Sequence, residues 1–267
     1  MPPSSPAVLV TGASSGIGAA TAALLAARGF RVWGTSRRPP ADAGPIRWVA
    51  MDVCDEAAAR AGVARVADEA GGTLDGLVCN AGMGIFGSVE EVSLVRAHAQ
   101  FETNVFGTLA PLRAALPGMR RRGAGRIVVV GSLAGRAPIP FQAHYSATKA
   151  ALDAFVLALR VELAPTGVSV SLVEPGDIRT AFNDATDWGE PSVAYAERQR
   201  ACEAVIRASL EAAPGPEVVA AAVLRALTAR RPRVRYPVGP ASRLVPLVRR
   251  LLPDALALRI LRAHFRV

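Results

Sequence analysis

Short apolar runs alternate with longer stretches of helical periodicity along the whole chain. Ala7–Thr11, Arg31–Thr35, Ile46–Met51, Leu74–Cys79, Arg126–Gly131, Val168–Val173 and Arg233–Tyr236 are β-branched or apolar and bounded by Gly, Pro or Asn, which predicts strands. Between them, Ile17–Arg28, Asp55–Ala70, Val92–Arg122, His144–Ala164 and Pro216–Ala229 read as helices. Continuous apolar strands separated by helices belong in a parallel sheet covered on both faces. The expectation is an α/β chain, a doubly wound parallel sheet of about seven strands, with residues 1–267 in one domain. Two segments break the alternation. Residues 181–215 are polar, contain Trp188 and Tyr195, and read as a lid over a site. Residues 230–267 form a basic C-terminal extension.

Composition sharpens this picture. With 51% hydrophobic and 20% charged residues, a disordered chain is excluded. A net charge of +9 points toward nucleic acid or an anionic membrane if it is spread over the molecule. It is not spread: residues 230–267 hold ten arginines and one aspartate, and the rest balances 21 bases against 21 acids. Within the extension, Ser242–Leu252 and Asp254–Phe265 are apolar with interspersed arginines. Such helices pack over a pocket, pack against another subunit, or lie on an anionic membrane surface. No nucleic-acid fold or aromatic stacking set accompanies them.

Cys54, Cys79 and Cys202 fit neither a disulfide framework nor a zinc pattern and read as buried thiols of a reducing compartment. His98 and His264 have no metal-spaced partner, and no metal is expected. The lead Met1–Pro6 lacks the regions of a signal peptide, and no run of about 18 uncharged apolar residues exists. A cytoplasmic protein, at most peripheral to a membrane, is expected.

The turn Thr11-Gly12-Ala13-Ser14-Ser15-Gly16-Ile17-Gly18 follows the first strand and opens the first helix. Gly12 permits a tight turn, Gly16 lets backbone N–H groups approach a pyrophosphate, and Gly18 allows close helix–strand packing. Ser14, Ser15 and Ile17 complete a turn whose helix N-terminus favours an anion. The GxxxGxG spacing departs from the usual GxGxxG of dinucleotide sites. The second strand ends Thr35-Ser36-Arg37-Arg38 with no acid to meet a ribose diol. Arg37, with Ser36 or Arg38 assisting, suits a 2′-phosphate and hence NADP(H); two arginines on a solvated loop are the alternative. Asp52, followed by Val53, ends the third strand and is placed to accept from an adenine amino group; Asn80-Ala81-Gly82 ends the fourth, beside the crevice.

Tyr145 and Lys149 stand four residues apart on one helix face. A phenol has a pKa of about 10, and a nearby ammonium stabilises the phenolate and lowers that value. That brings Tyr145 toward proton exchange with a carbonyl or alcohol oxygen. Lys149 is the only lysine beside 30 arginines, so a compact point charge with rotatable donors is the expected requirement. Ser132, just past the fifth strand, is placed to donate to the same oxygen, and Phe141 and Gln142 to wall the substrate pocket.

In order, these residues, with Asn104 and with Pro175-Gly176 and Thr180, resemble the classical short-chain dehydrogenases/reductases over roughly residues 7–182. The resemblance implies a Rossmann-type fold and an oxidoreductase. It implies that Asn104 holds a water continuing the proton relay, and that Ile178 and Thr180 contact the nicotinamide carboxamide after the Pro175-Gly176 turn. Residues 104–135 and 140–152 look most like the 17β-hydroxysteroid and retinol dehydrogenase branch, which favours NADP(H) and lipophilic alcohols or ketones. A homodimer or homotetramer built partly on two long helices is also implied. The expected activity is NADP(H)-dependent interconversion of a lipophilic ketone or aldehyde and its alcohol. A carrier- or CoA-bound β-ketoacyl or polyketide ketoreductase is one alternative, and a catalytically silent NADP(H)-binding sensor another. Glu174 departs from the family, where many members have Asn or an apolar residue.

Overall fold

The computed structural model describes residues 5–41, 44–240 and 242–267, so most of the N-terminal lead lies outside the described residues. The first half runs β1 (Ala7–Val10), α1 (Gly16–Ala27), β2 (Arg31–Ser36), β3 (Arg47–Ala50), α2 (Glu56–Ala70), β4 (Gly76–Cys79) and a short β5 (Ile85–Phe86). Then come α3 (Leu94–Phe101), α4 (Gly107–Arg122), β6 (Gly125–Val130), α5 (Ala143–Glu162) and β7 (Val168–Pro175). The last third contains α6 (Ala181–Asp184), β8 (Asp187–Trp188), α7 (Ala196–Glu211), α8 (Glu217–Thr228), β9 (Arg235–Val238), α9 (Leu244–Leu251) and α10 (Asp254–Phe265).

Seven strands form one parallel sheet in the order β3-β2-β1-β4-β6-β7-β9, the doubly wound arrangement expected. Alternation along each strand divides the core. Leu9, Leu77, Ile127 and Leu172 face one side, with α2, α4 and α5. Val8, Val10, Val78, Val128 and Val173 face the other, with α1 and α8. Strand order reverses between β1 and β4, which opens a crevice at the carboxyl ends of those strands.

Three predicted elements differ. The edge strand lies at Arg235–Val238, two residues later than its apolar run suggests, and it tolerates Pro237 because an edge needs fewer ladder donors. The predicted helix Val92–Arg122 begins at Leu94 and contains a π-helical turn at Glu102–Phe106, between α3 and α4. Residues 181–215 include β8, which pairs in parallel with β5 outside the main sheet. Among the described residues, no helix is long and apolar enough to cross a membrane.

Candidate active site

The glycine turn is held from beneath by Asn80. Its Nδ2 donates to the carbonyls of Thr11 and Gly12, each at 3.1 Å, and its backbone N–H donates to Thr11 Oγ1 at 3.0 Å. Gly12 and Gly16 sit at φ +63° and +52°, a region that disfavours side chains. A Cβ at Gly18 would stand 2.1 Å from the Gly12 carbonyl oxygen and 2.5 Å from Asn80 Nδ2, so the helix packs on the turn only without one. No side chain caps the 12-residue α1, and its first turn carries no acid. Free N–H groups and positive dipole therefore face the crevice, which fits a pyrophosphate.

At the other end of the crevice, Ser132 follows β6 and Tyr145 lies in the first turn of α5. Ser132 Oγ accepts from the Ala134 N–H at 3.1 Å and hydrogen-bonds the Tyr145 hydroxyl. Lys149, one turn further along α5, is 6% exposed; its Nζ donates to the Val130 carbonyl at 3.0 Å and lies 5.6 Å from the centre of the Tyr145 ring. Burial lowers the lysine pKa to about 8. Burial also raises the phenol above its ordinary value, and the Ser132 hydrogen bond only partly opposes this. This corrects the expectation of a phenol lowered by Lys149. The ammonium, 5.6 Å from the ring centre and bonded to a carbonyl, does not offset the desolvation of the ring hydroxyl, so Tyr145 stays protonated at neutral pH.

Asn104 occupies the π turn. Its Oδ1 accepts from the Met83 N–H at 2.8 Å, and its Nδ2 donates to the Met83 carbonyl at 3.0 Å and Thr148 Oγ1 at 3.1 Å. Thr148 Oγ1 in turn donates to the Tyr145 carbonyl at 2.7 Å. The side chain of Asn104 is therefore spent on joining the segment after β4 to the Tyr145 turn. π turns recur at functional sites, where they re-aim one residue.

One cleft of about 1020 Å³ connects these parts. Gly12, Ser14, Ser15, Gly16, Ile17, Arg37, Asp52, Val53, Asn80, Ala81 and Gly82 line its dinucleotide end. Ser132, Gln142, Tyr145, Lys149, Pro175, Gly176, Ile178 and Thr180 line the other. Gly18 lies beneath the turn, and Asn104 and Arg38 stand off the lining. The Arg38 N–H instead bonds Ser36 Oγ at 3.2 Å. Phe141, expected on the pocket wall, also stands off the lining. It packs in an aromatic cluster with Phe86 and Tyr195, at a positive φ of 59°.

A family model for short chain dehydrogenases matches residues 6–190. The chain belongs to the short-chain dehydrogenase family. It is 34% identical to a 3-ketodihydrosphingosine reductase of Bacteroides thetaiotaomicron, over 97% of this chain and 98% of that one. It is 35% identical to human 17-beta-hydroxysteroid dehydrogenase type 1, over 92% of this chain and 81% of the relative. The structure of a short-chain dehydrogenase from Streptomyces avermitilis superposes with a TM-score of 0.84 at 33% identity, covering 100% and 98% of the two chains. A closed serine dehydrogenase complexed with NADP+ gives 0.76 at 28% identity, covering 88% and 95%. The protein is thus an oxidoreductase acting on CH–OH groups, with a nicotinamide dinucleotide as cofactor.

In this dehydrogenase, several cleft residues carry no signal in the sequence. Phe182 packs 6.0 Å from the Tyr145 ring, and Val205 and Ile206 of α7 with Val248, Leu261 and His264 of the C-terminal helices close the apolar end. Cys54, read as buried, is exposed, and its thiol hydrogen-bonds Thr103 at the rim; burial pushes the thiols of Cys79 and Cys202 up to about 12. Glu174 is fully buried between Arg136 and Arg235, and Arg235 also holds Asp153 of α5. This network ties β7, β9 and α5 to the turn after Ser132.

Proposed function

We propose that this dehydrogenase uses NADP(H) to interconvert a lipophilic ketone or aldehyde and its alcohol. The observation that carries the reading is the Ser132–Tyr145 hydroxyl pair at the polar end of an otherwise apolar substrate cleft. When bound, the cofactor supplies or accepts a hydride at the substrate carbon. Ser132 already accepts from Ala134, and we assign its one proton, which otherwise goes to the Tyr145 hydroxyl, to orienting the substrate oxygen. Tyr145, protonated at neutral pH, donates to that oxygen in the reductive direction. Lys149 spends one N–H on Val130, and we assign the other two to ribose hydroxyls. The free backbone amides of α1 hold the pyrophosphate, and Arg37, on the cleft wall where β2 ends without an acid, holds a 2′-phosphate.

We assign the segment 181–215 the role of a lid. Tyr195 donates to Glu90 at 2.8 Å, and Trp188 packs at a tilt against Phe86 with the Arg207 guanidinium over its ring, which anchors the segment beside the cleft. Exposed Phe155, Leu157 and Val161 of α5 supply a surface for subunit pairing. The relatives that act on 3-ketodihydrosphingosine and 17β-hydroxysteroids support an extended or fused apolar substrate. The test is NADPH oxidation across steroid, retinoid, long-chain ketone and acyl-thioester carbonyls. Lipophilic ketones are expected to turn over, and Tyr145→Phe to lower the rate by about 10²–10⁴-fold. Full turnover by Tyr145→Phe would overturn the mechanism.

A further inference from the structure

The helices α9 and α10 close the apolar end of the cleft, yet they leave much of their own apolar surface in water. Leu244, Val248 and Leu252 line the cleft, whereas Leu247 and Leu251 stand outside that lining and are exposed, Leu251 to 73%. On α10, Ile260 lines the cleft while Leu256 and Leu258 are exposed off it. The two helices therefore carry apolar side chains both on the cleft lining and on the surface outside it. A group of exposed apolar side chains of this kind marks a partner or a membrane.

Charge selects between those occupants. Residues 242–267 hold six arginines and one aspartate, while residues 1–229 are balanced. The single aspartate, Asp254, is taken by Arg249 at 2.8 Å. Arg243, Arg250, Arg259, Arg262 and Arg266 remain exposed around the leucines. A second copy of this face would bring like charges together, because a two-fold interface uses the same patch twice. Anionic lipid headgroups complement the arginines, and acyl chains take up the leucines.

We infer that α9 and α10 dock this protein on an anionic membrane surface, with the apolar end of the cleft toward the bilayer. The docking stands on the two helices alone. Its consequence, that a lipophilic substrate reaches Tyr145 from the membrane without crossing water, rests on the proposed function.

The test is co-sedimentation of the full chain, without cofactor or substrate, with vesicles of phosphatidylcholine alone or of phosphatidylcholine with phosphatidylglycerol. Binding is expected to the anionic vesicles, to weaken as salt rises, and to fall by about tenfold in L247D/L251D and in R250E/R259E. Neither pair lines the cleft, and the arginine pair is exposed, so thermal melts are expected to match the wild type. Equal partitioning onto neutral and anionic vesicles would overturn the inference, as would unchanged binding in both variants. A dimer that L247D/L251D dissociates, with no vesicle binding by the wild type, would assign the face to a second copy instead. NADPH oxidation is read separately, so loss of the proposed activity and loss of docking are distinguishable.

Discussion

Around Gly12 the cleft is built mainly of backbone: the Gly12 carbonyl and the N-terminus of α1, joined by the Asn80 side-chain amide, lie close enough that Gly18 has no room for a methyl group. The opposite wall, made by α7, α9 and α10, is built of side chain on side chain, with Cys202, Val205, Ile206, Leu261 and Phe265 interdigitating. The first kind of wall specifies residue types, because polar backbone groups must be paired and a Cβ either fits or collides. The second specifies only volume and polarity, and apolar residues of similar size exchange there at small cost. The dinucleotide end thus rests on rigid backbone, and the apolar end, which we propose takes the substrate, on a surface that is easily remodelled.

The largest expected effect lies at the rigid end. Gly18→Ala forces the turn or α1 to move and is expected to cost about 3 kcal/mol or more, seen as a lower urea midpoint together with lost dinucleotide binding. An alanine there that left both unchanged would break the comparison at its strongest point.

Lys149, at the other end of the cleft, is expected to act in the opposite direction. Its pKa falls from 10.5 to about 8 on folding, so between those values the unfolded chain binds more protons than the folded one. Wild-type stability is therefore expected to climb with pH through that window. Lys149→Met removes the buried charge but leaves the Val130 carbonyl without its donor. The net expectation is a gain of about 2 kcal/mol at pH 7, with a flat pH dependence and loss of activity. Thermal melts across pH check it, and a destabilised variant would mean that the hydrogen bond outweighs desolvation.

These contrasts explain what was readable along the chain. The sheet, the glycine turn, Ser132, Tyr145 and Lys149 were legible because each rests on a local pattern: an apolar run, a positive φ, or a four-residue helical spacing. The π turn at Asn104 was not, because its cause is tertiary: Met83 and Thr148 capture the side chain from two other segments. The phenol's raised pKa was misread because spacing shows that Lys149 is near but not that both groups are buried. Phe141 was misplaced for a similar reason. Its positive φ turns it toward Phe86, and nothing in its neighbours announces that. The C-terminal helices showed their charge and periodicity, which allow packing over a pocket among other placements, but not which of their residues wall the cleft.

A smaller effect is expected from a side chain at the dinucleotide end. Arg37 lies on the cleft lining at the end of β2, and Arg38 does not. Arg37→Ala is expected to narrow the preference for NADP(H) over NAD(H) by on the order of 1–3 kcal/mol, measured as the ratio of the two dissociation constants. Arg38→Ala is expected to leave the ratio unchanged. The reverse result would move the phosphate site outward along the loop.

The smallest effect belongs to the C-terminal wall. Val248 is 39% exposed and lines the cleft on α9. Val248→Ala removes two methyl-sized groups that are only partly buried, so its cost to stability is expected to be below about 1 kcal/mol. A wall that contacts ground state and transition state alike affects KM and not kcat. Val248→Ala is therefore expected to raise KM for the largest apolar ketones by about two- to fivefold, and to leave kcat within error. A large fall in kcat with KM unchanged would mean that α9 aims the substrate at Ser132 and Tyr145. The C-terminal wall would then share the positional strictness of the glycine turn, and side-chain packing would be specifying geometry as tightly as backbone does.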